Sequence, residues 1–309
     1  MAFLSDLLAE PVGQVAIVPF AVAFALALIV RVAGGAGLGT RMAAIGIGAG
    51  FFAAYYLIRG GIPSFPPPAT SQKVFYVAAA GLGLGMMLDL AGLTRAGGHL
   101  FAFLLPAGAL YWMRQNQIAA GPGGTLIATL VVLFLVSVVV YWRQAASARG
   151  ADEPKASSAA LFPAIQILVA GIGLGGIALL AISLGYGNLA FALAAATGGY
   201  LLMSYLAHLV TGRGFGFGAT GAFGAGGALL ALAYAAVFEA DTTIELVLLG
   251  VVALAFVVDF LARPLALAAP PSAGAAARLV QPIVYGLVVG IPPAAALAYA
   301  WFALGWRTG

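Results

Sequence analysis

The chain contains no cysteine and only two histidines in 309 residues, and only 7% of its residues are charged. Without cysteine there is neither a disulfide framework nor a thiolate metal site. His99 and His208 stand far apart and lack the close spacing of a histidine pair on one helix, so no metal is expected, and nothing points to a cofactor. The shortage of charge excludes more. A soluble domain carries roughly a quarter charged residues, and no water-facing surface can be assembled from a chain that is 63% hydrophobic. Lipid must solvate most of the outside, and the spanning segments must then be helices or a closed barrel, so that every backbone polar group is satisfied.

A barrel would read as alternating segments of about ten residues. Here the apolar runs are continuous and near the length of a membrane-crossing helix. The fold class is therefore an all-α polytopic membrane protein, with the lipid bilayer as its first partner. The net charge of +4 reflects loop positions and anionic headgroups; no nucleic acid partner is expected. Paired carboxylates at the membrane centre are missing, as are hydrolase, kinase and deaminase signatures and the DxxxD of prenyl transfer. The sequence does not read as an enzyme.

Ten spans are expected, at 13–33, 41–59, 73–92, 99–113, 124–142, 159–185, 188–209, 215–238, 243–262 and 279–306. The sixth and tenth are long enough to tilt, protrude or break. The segment before the first span carries Asp6 and Glu10 and no basic residue, unlike a secretory signal, so the first span is read as a retained helix. Sorting the basic residues by loop puts Arg31, Arg41, Arg95, Arg143, Arg149, Lys155, Arg213, Arg263 and Arg278 on one side, with Arg59, Lys73, Arg114 and Arg307 on the other. The richer side is the cytoplasmic one. Both termini are then external, in a cytoplasmic (inner) membrane, and the Ala and Gly richness favours a bacterial source.

Between the second and third spans runs RGGIPSFPPP, residues 59–68. Proline lacks the helical donor and pushes its predecessor out of helical angles, so the stretch ends one helix and stiffens the link to the next. Ile62 and Phe65 are left at the interface and are candidates for contact with a partner. The polar stretch 145–158 reads as a cytoplasmic connector between halves 1–144 and 159–309. Displacing the second half by 149 positions lays GFFAAYYLIR (50–59) over GYLLMSYLAH (199–208) and brings Asp89 within one position of Glu239. Two five-helix units in opposite senses would be an inverted repeat of the transporter kind; chance similarity in a chain rich in Gly, Ala and Leu is the other reading.

Glycines spaced by four, Gly46 with Gly50, Gly81 with Gly85, and Gly214, Gly218, Ala222 and Gly226, put small residues on one helix face and allow close helix approach. The same faces could serve a homo-oligomer or a membrane complex. Pro292 and Pro293 interrupt the tenth span, as either a kink or a break that exposes backbone dipoles. Ionisable groups inside spans are costly and point to function. Asp89, His208 and Asp259 map to one membrane level and would form a proton-linked cluster if their helices met. Gln166, Thr197, Ser204 and Gln281 either glue helices together or line a polar path. Two functional readings follow: a secondary transporter for a small, weakly polar or amphipathic solute with its site between the halves, or a non-catalytic subunit or scaffold of a larger membrane assembly.

Overall fold

Apolar runs of this length can satisfy their backbone only within themselves, and the chain does so throughout. In the computed structural model, residues 10–35, 37–149, 158–211, 214–268 and 275–304 are described, and every regular element among them is helical. Ten long helices follow one another: α1 Gly13–Gly34, α2 Leu38–Arg59, α3 Thr70–Ala91, α4 Thr94–Ala119, α5 Gly124–Arg149, α6 Ser158–Ile182, α7 Leu184–Thr211, α8 Thr220–Glu239, α9 Thr243–Leu267 and α10 Ala275–Leu304. Among the described residues, nine of them are long and apolar enough to cross a membrane. The exception is α4. Its apolar run is confined to the residues between His99 and Arg114, and Gln115, Asn116 and Gln117 follow. The protein is a polytopic helical membrane protein.

Side-chain contacts define two ends of the bundle. Lys73, at the start of α3, donates from Nζ to the Trp112 carbonyl of α4 at 2.8 Å, and Arg114 donates to the Phe238 carbonyl at the close of α8. Asp89, at the close of α3, instead meets the start of α8. The backbone N–H of Leu93 bonds the Leu88 carbonyl, so α4 begins at the Asp89 end and runs back alongside α3 to the Arg114 end. Arg31, Arg41, Arg143, Arg263 and Arg278 gather at the Asp89 end. Arg59, Lys73 and Arg114 lie at the other. This is the division that the loop sorting expected for these eight residues.

Helix approach is set by small residues. A Cβ at Gly46 or Gly50 of α2 would come within 2.5 Å of the Ala23 or Pro19 carbonyl oxygen of α1, and Gly81 and Gly85 of α3 press in the same way on the Phe223 and Ala219 carbonyls of α8. Without a hydrophobic drive between helices in lipid, such close contact is what holds a bundle together. Gly85→Ala is expected to cost roughly 1–3 kcal/mol through overpacking, read as a lowered thermal midpoint in detergent. Gly83→Ala, whose Cβ would meet open space, should leave that midpoint unchanged.

Several expectations need correction. Residues 214–217 carry no regular structure, and Gly218, where the helical run begins, is left-handed at φ 59°, so the eighth helix starts later than 215 and Gly214 belongs to no helical stripe. Helix α10 is continuous through Pro292 and Pro293; Pro293 packs on Gly173 of α6, where the missing Cβ makes room for the ring. Helix α5 continues to Arg149, into the stretch read as a connector, and residues 150–157 lie outside the described residues. Helix α6 closes with a π-helical turn, Ala178–Ile182, before an extended Ser183. That breaks the long sixth span before its expected end.

Candidate functional site

The three ionisable residues expected to cluster share one end of the bundle, but each has partners of its own. Asp89 is 2% exposed. Its Oδ1 accepts the Ala219 N–H at 2.9 Å, and its Oδ2 accepts the Thr220 N–H at 2.7 Å and the Thr220 hydroxyl at 2.6 Å. This is a helix cap supplied from another helix: a carboxylate set against the unsatisfied donors and positive dipole end of α8. The irregular stretch leading into α8 is buried, with Phe215 and Phe217 nearly inaccessible, and buried backbone must find partners. Helix α7 provides them. Ser204 Oγ accepts the Phe215 N–H at 2.7 Å, and the Tyr200 hydroxyl donates to the Gly216 carbonyl at 3.0 Å.

His208 is also fully buried. Ser158 donates its single proton to Gln281 Oε1 at 2.8 Å, so His208 Nε2, 3.1 Å from the same hydroxyl, is the donor in that contact. The three residues tie α6, α7 and α10 together. Asp259 accepts the Tyr285 hydroxyl and lies 3.5 Å from Arg263 and 3.8 Å from Arg143. Thr197 bonds back to the Leu193 carbonyl of its own helix at 2.8 Å. Pro292 lies within the unbroken α10. Ile62 is exposed, and Phe65, also exposed, rests edge-on against Tyr76, whose hydroxyl holds the Pro63 carbonyl at 2.6 Å. Among the described residues, no three His, Asp or Glu side chains come together as a metal site would need.

A different feature stands between α5 and α9. These helices touch only sparingly, and the space between them is a groove of about 610 Å³. Val132, Leu135 and Val139 of α5 and Leu246 and Leu254 of α9 form its rims, exposed towards the bilayer. Ala170 and Leu174 of α6, with Ala233 and Tyr234 of α8, form its floor. Small residues, Ala233, Gly250 and Ala253 among them, give it depth. Its few polar groups include Ser137 and Tyr234, which hydrogen-bond each other. Ser137 donates to the Leu133 carbonyl, so Tyr234 donates to Ser137, and this wall presents no spare hydroxyl proton to a ligand.

The groove becomes polar just beyond its Asp89 end. One turn past Val140, Gln144 donates to Gln166 Oε1 at 2.9 Å; Gln166 lies one turn before Ala170. Gln144 Oε1 and Gln166 Nε2 are both buried with no hydrogen-bond partner. One turn past Val139, Arg143 projects with 37% of its side chain exposed, near Asp259. Two further crevices are smaller, about 480 Å³ against α1, α6 and α7, with Asn188 in its lining, and about 360 Å³ between α9 and α10, with Thr243 in its lining. None of the three is lined by Gln166, Thr197, Gln281 or Pro292.

No protein-family model matches this chain, and no curated protein does. The groove has to be read from its own chemistry. It joins one wall that precedes the central polar stretch to three helices that follow it, and it ends where charge begins. Sequence reasoning singled out Gln166 but missed Gln144 and the groove itself, because the rims are ordinary apolar positions on each helix. The signal that existed was Gly250 and Ala253 within an otherwise bulky α9. The roles of Tyr200 and Ser204 depend on a non-helical stretch, residues 214–217, that the apolar pattern had hidden inside a span.

Proposed function

We propose that the protein is a permease for an amphipathic solute, which enters from the bilayer through the groove between α5 and α9 and holds its polar end at Arg143. The observation that carries the reading is the groove's position and grading: apolar rims exposed on the outside of the bundle, small residues that give it depth, and the partly exposed Arg143 one helical turn beyond one end.

The proposed topology has ten crossings, with α4 as the least apolar of them, both termini external and the arginine-rich Asp89 end cytoplasmic. A bacterial inner membrane is its proposed location. Inverted halves are supported by part of the pairing pattern, α1 packing on α2 as α6 packs on α7 and α4 on α5 as α9 on α10, whereas α6 packs on α10 and α1 on α7 without comparable α1–α5 and α6–α2 counterparts among the described residues. In transporters built this way, solute sites lie at the junction of the repeats.

The natural absence of cysteine provides a direct test. Gly250→Cys gives a single thiol in the groove, to be labelled with an apolar maleimide in proteoliposomes. Solutes that slow labelling should be those that are taken up. If no amphipath protects the thiol and none is transported, the scaffold reading takes its place.

A further inference from the structure

We infer that the groove receives an anionic phospholipid, one acyl chain lying along α5 and α9 and the phosphate set against Arg143. This rests on the groove being the solute site, and it names the class of solute. The rims face the membrane, so the occupant is drawn from the molecules the bilayer holds, and phospholipid chains are the most abundant of these. From Ala128 to Val140 the groove follows α5 for about 18 Å at the helical rise, long enough for much of one acyl chain. The lining is almost wholly apolar for that length, and the hydroxyl protons of Ser137 and Tyr234 are already donated, so it offers little to a head lying inside it.

The polar end selects the head. Arg143 lies one helical turn beyond the last rim valine, on the side that leads to the membrane surface, with its guanidinium partly open. Its contact with Asp259, at 3.8 Å, is longer than a charge-assisted hydrogen bond and leaves the planar fork able to take a phosphate by two parallel N–H bonds. Gln144 and Gln166, bonded to each other at 2.9 Å, lie buried behind this end of the groove, so Arg143 is the group there that a headgroup can reach.

The test uses the full chain, purified in mild detergent and exposed to equal amounts of phosphatidylglycerol and phosphatidylcholine with matched chains, followed by native mass analysis. Retention of one phosphatidylglycerol in preference to phosphatidylcholine by about fivefold is expected, the preference that one arginine gives near an anionic headgroup. Arg143→Gln should remove the preference while lipid is still retained, and Gly250→Trp should remove the lipid. Equal retention of both lipids by the native chain, lost in Gly250→Trp, overturns the anionic class and leaves the groove as the site. Retention that survives Gly250→Trp overturns both. Recovery of a single-chain carboxylate from the native membrane in place of a two-chain lipid also overturns the phospholipid, again leaving the groove.

Discussion

Asp89→Ala is expected to leave little folded protein in the membrane. The carboxylate holds two backbone N–H groups and one hydroxyl at the start of α8, and removing it strands buried donors in a place that water does not reach. At about 1–3 kcal/mol for each stranded donor, the two N–H groups alone cost roughly 2–6 kcal/mol, a large part of the stability of an ordinary domain. Asp89→Asn keeps one acceptor oxygen and should fall between the native chain and the alanine variant. Expression and the thermal midpoint in detergent measure this. A proton-carrying aspartate would behave in the opposite way, losing transport while folding normally, and that outcome would overturn the capping role.

Gly250→Trp is expected to abolish transport and leave the fold intact. A Cβ at Gly250 meets nothing within 4 Å, so an indole can enter the groove without pushing on the backbone. Each methylene of solute that it displaces forfeits about 0.8 kcal/mol of burial, and displacing two already reduces occupancy about tenfold. Uptake into proteoliposomes should fall by at least that factor with the thermal midpoint nearly unchanged. A midpoint that drops sharply would mean that the groove is an internal packing defect, and normal uptake would mean that the solute passes elsewhere.

These two substitutions separate what the sequence made legible from what it did not. Nine of the helices were visible because apolar runs of bilayer length admit few alternatives, α4 showed only as a shorter apolar run, and the two ends could be sorted because arginines cluster where helices turn. The helix starts were unequally legible. Helix α9 opens with Thr242 and Glu245 in a reciprocal capping box, a signal written locally in four residues. Helix α8 is capped by Asp89, which precedes Thr220 by 131 positions, and no local pattern announces such a partner. Asp89 was singled out for the right reason, the cost of a carboxylate in a membrane span, but that cost is met by a backbone rather than by a solute. The groove was least legible, since a gap between two helices depends on how far apart they are held.

The central claim is that solute is handled by the groove and that the buried carboxylate at its end of the bundle is structural. The most direct measurement is uptake per folded molecule of fluorescent phosphatidylglycerol into proteoliposomes, with Gly250→Trp and Asp89→Asn compared side by side against the native chain. The account predicts that whatever Asp89→Asn protein folds transports at the native rate per molecule, while Gly250→Trp folds in full and transports at background. Native transport by Gly250→Trp, together with failure of well-folded Asp89→Asn, would contradict it.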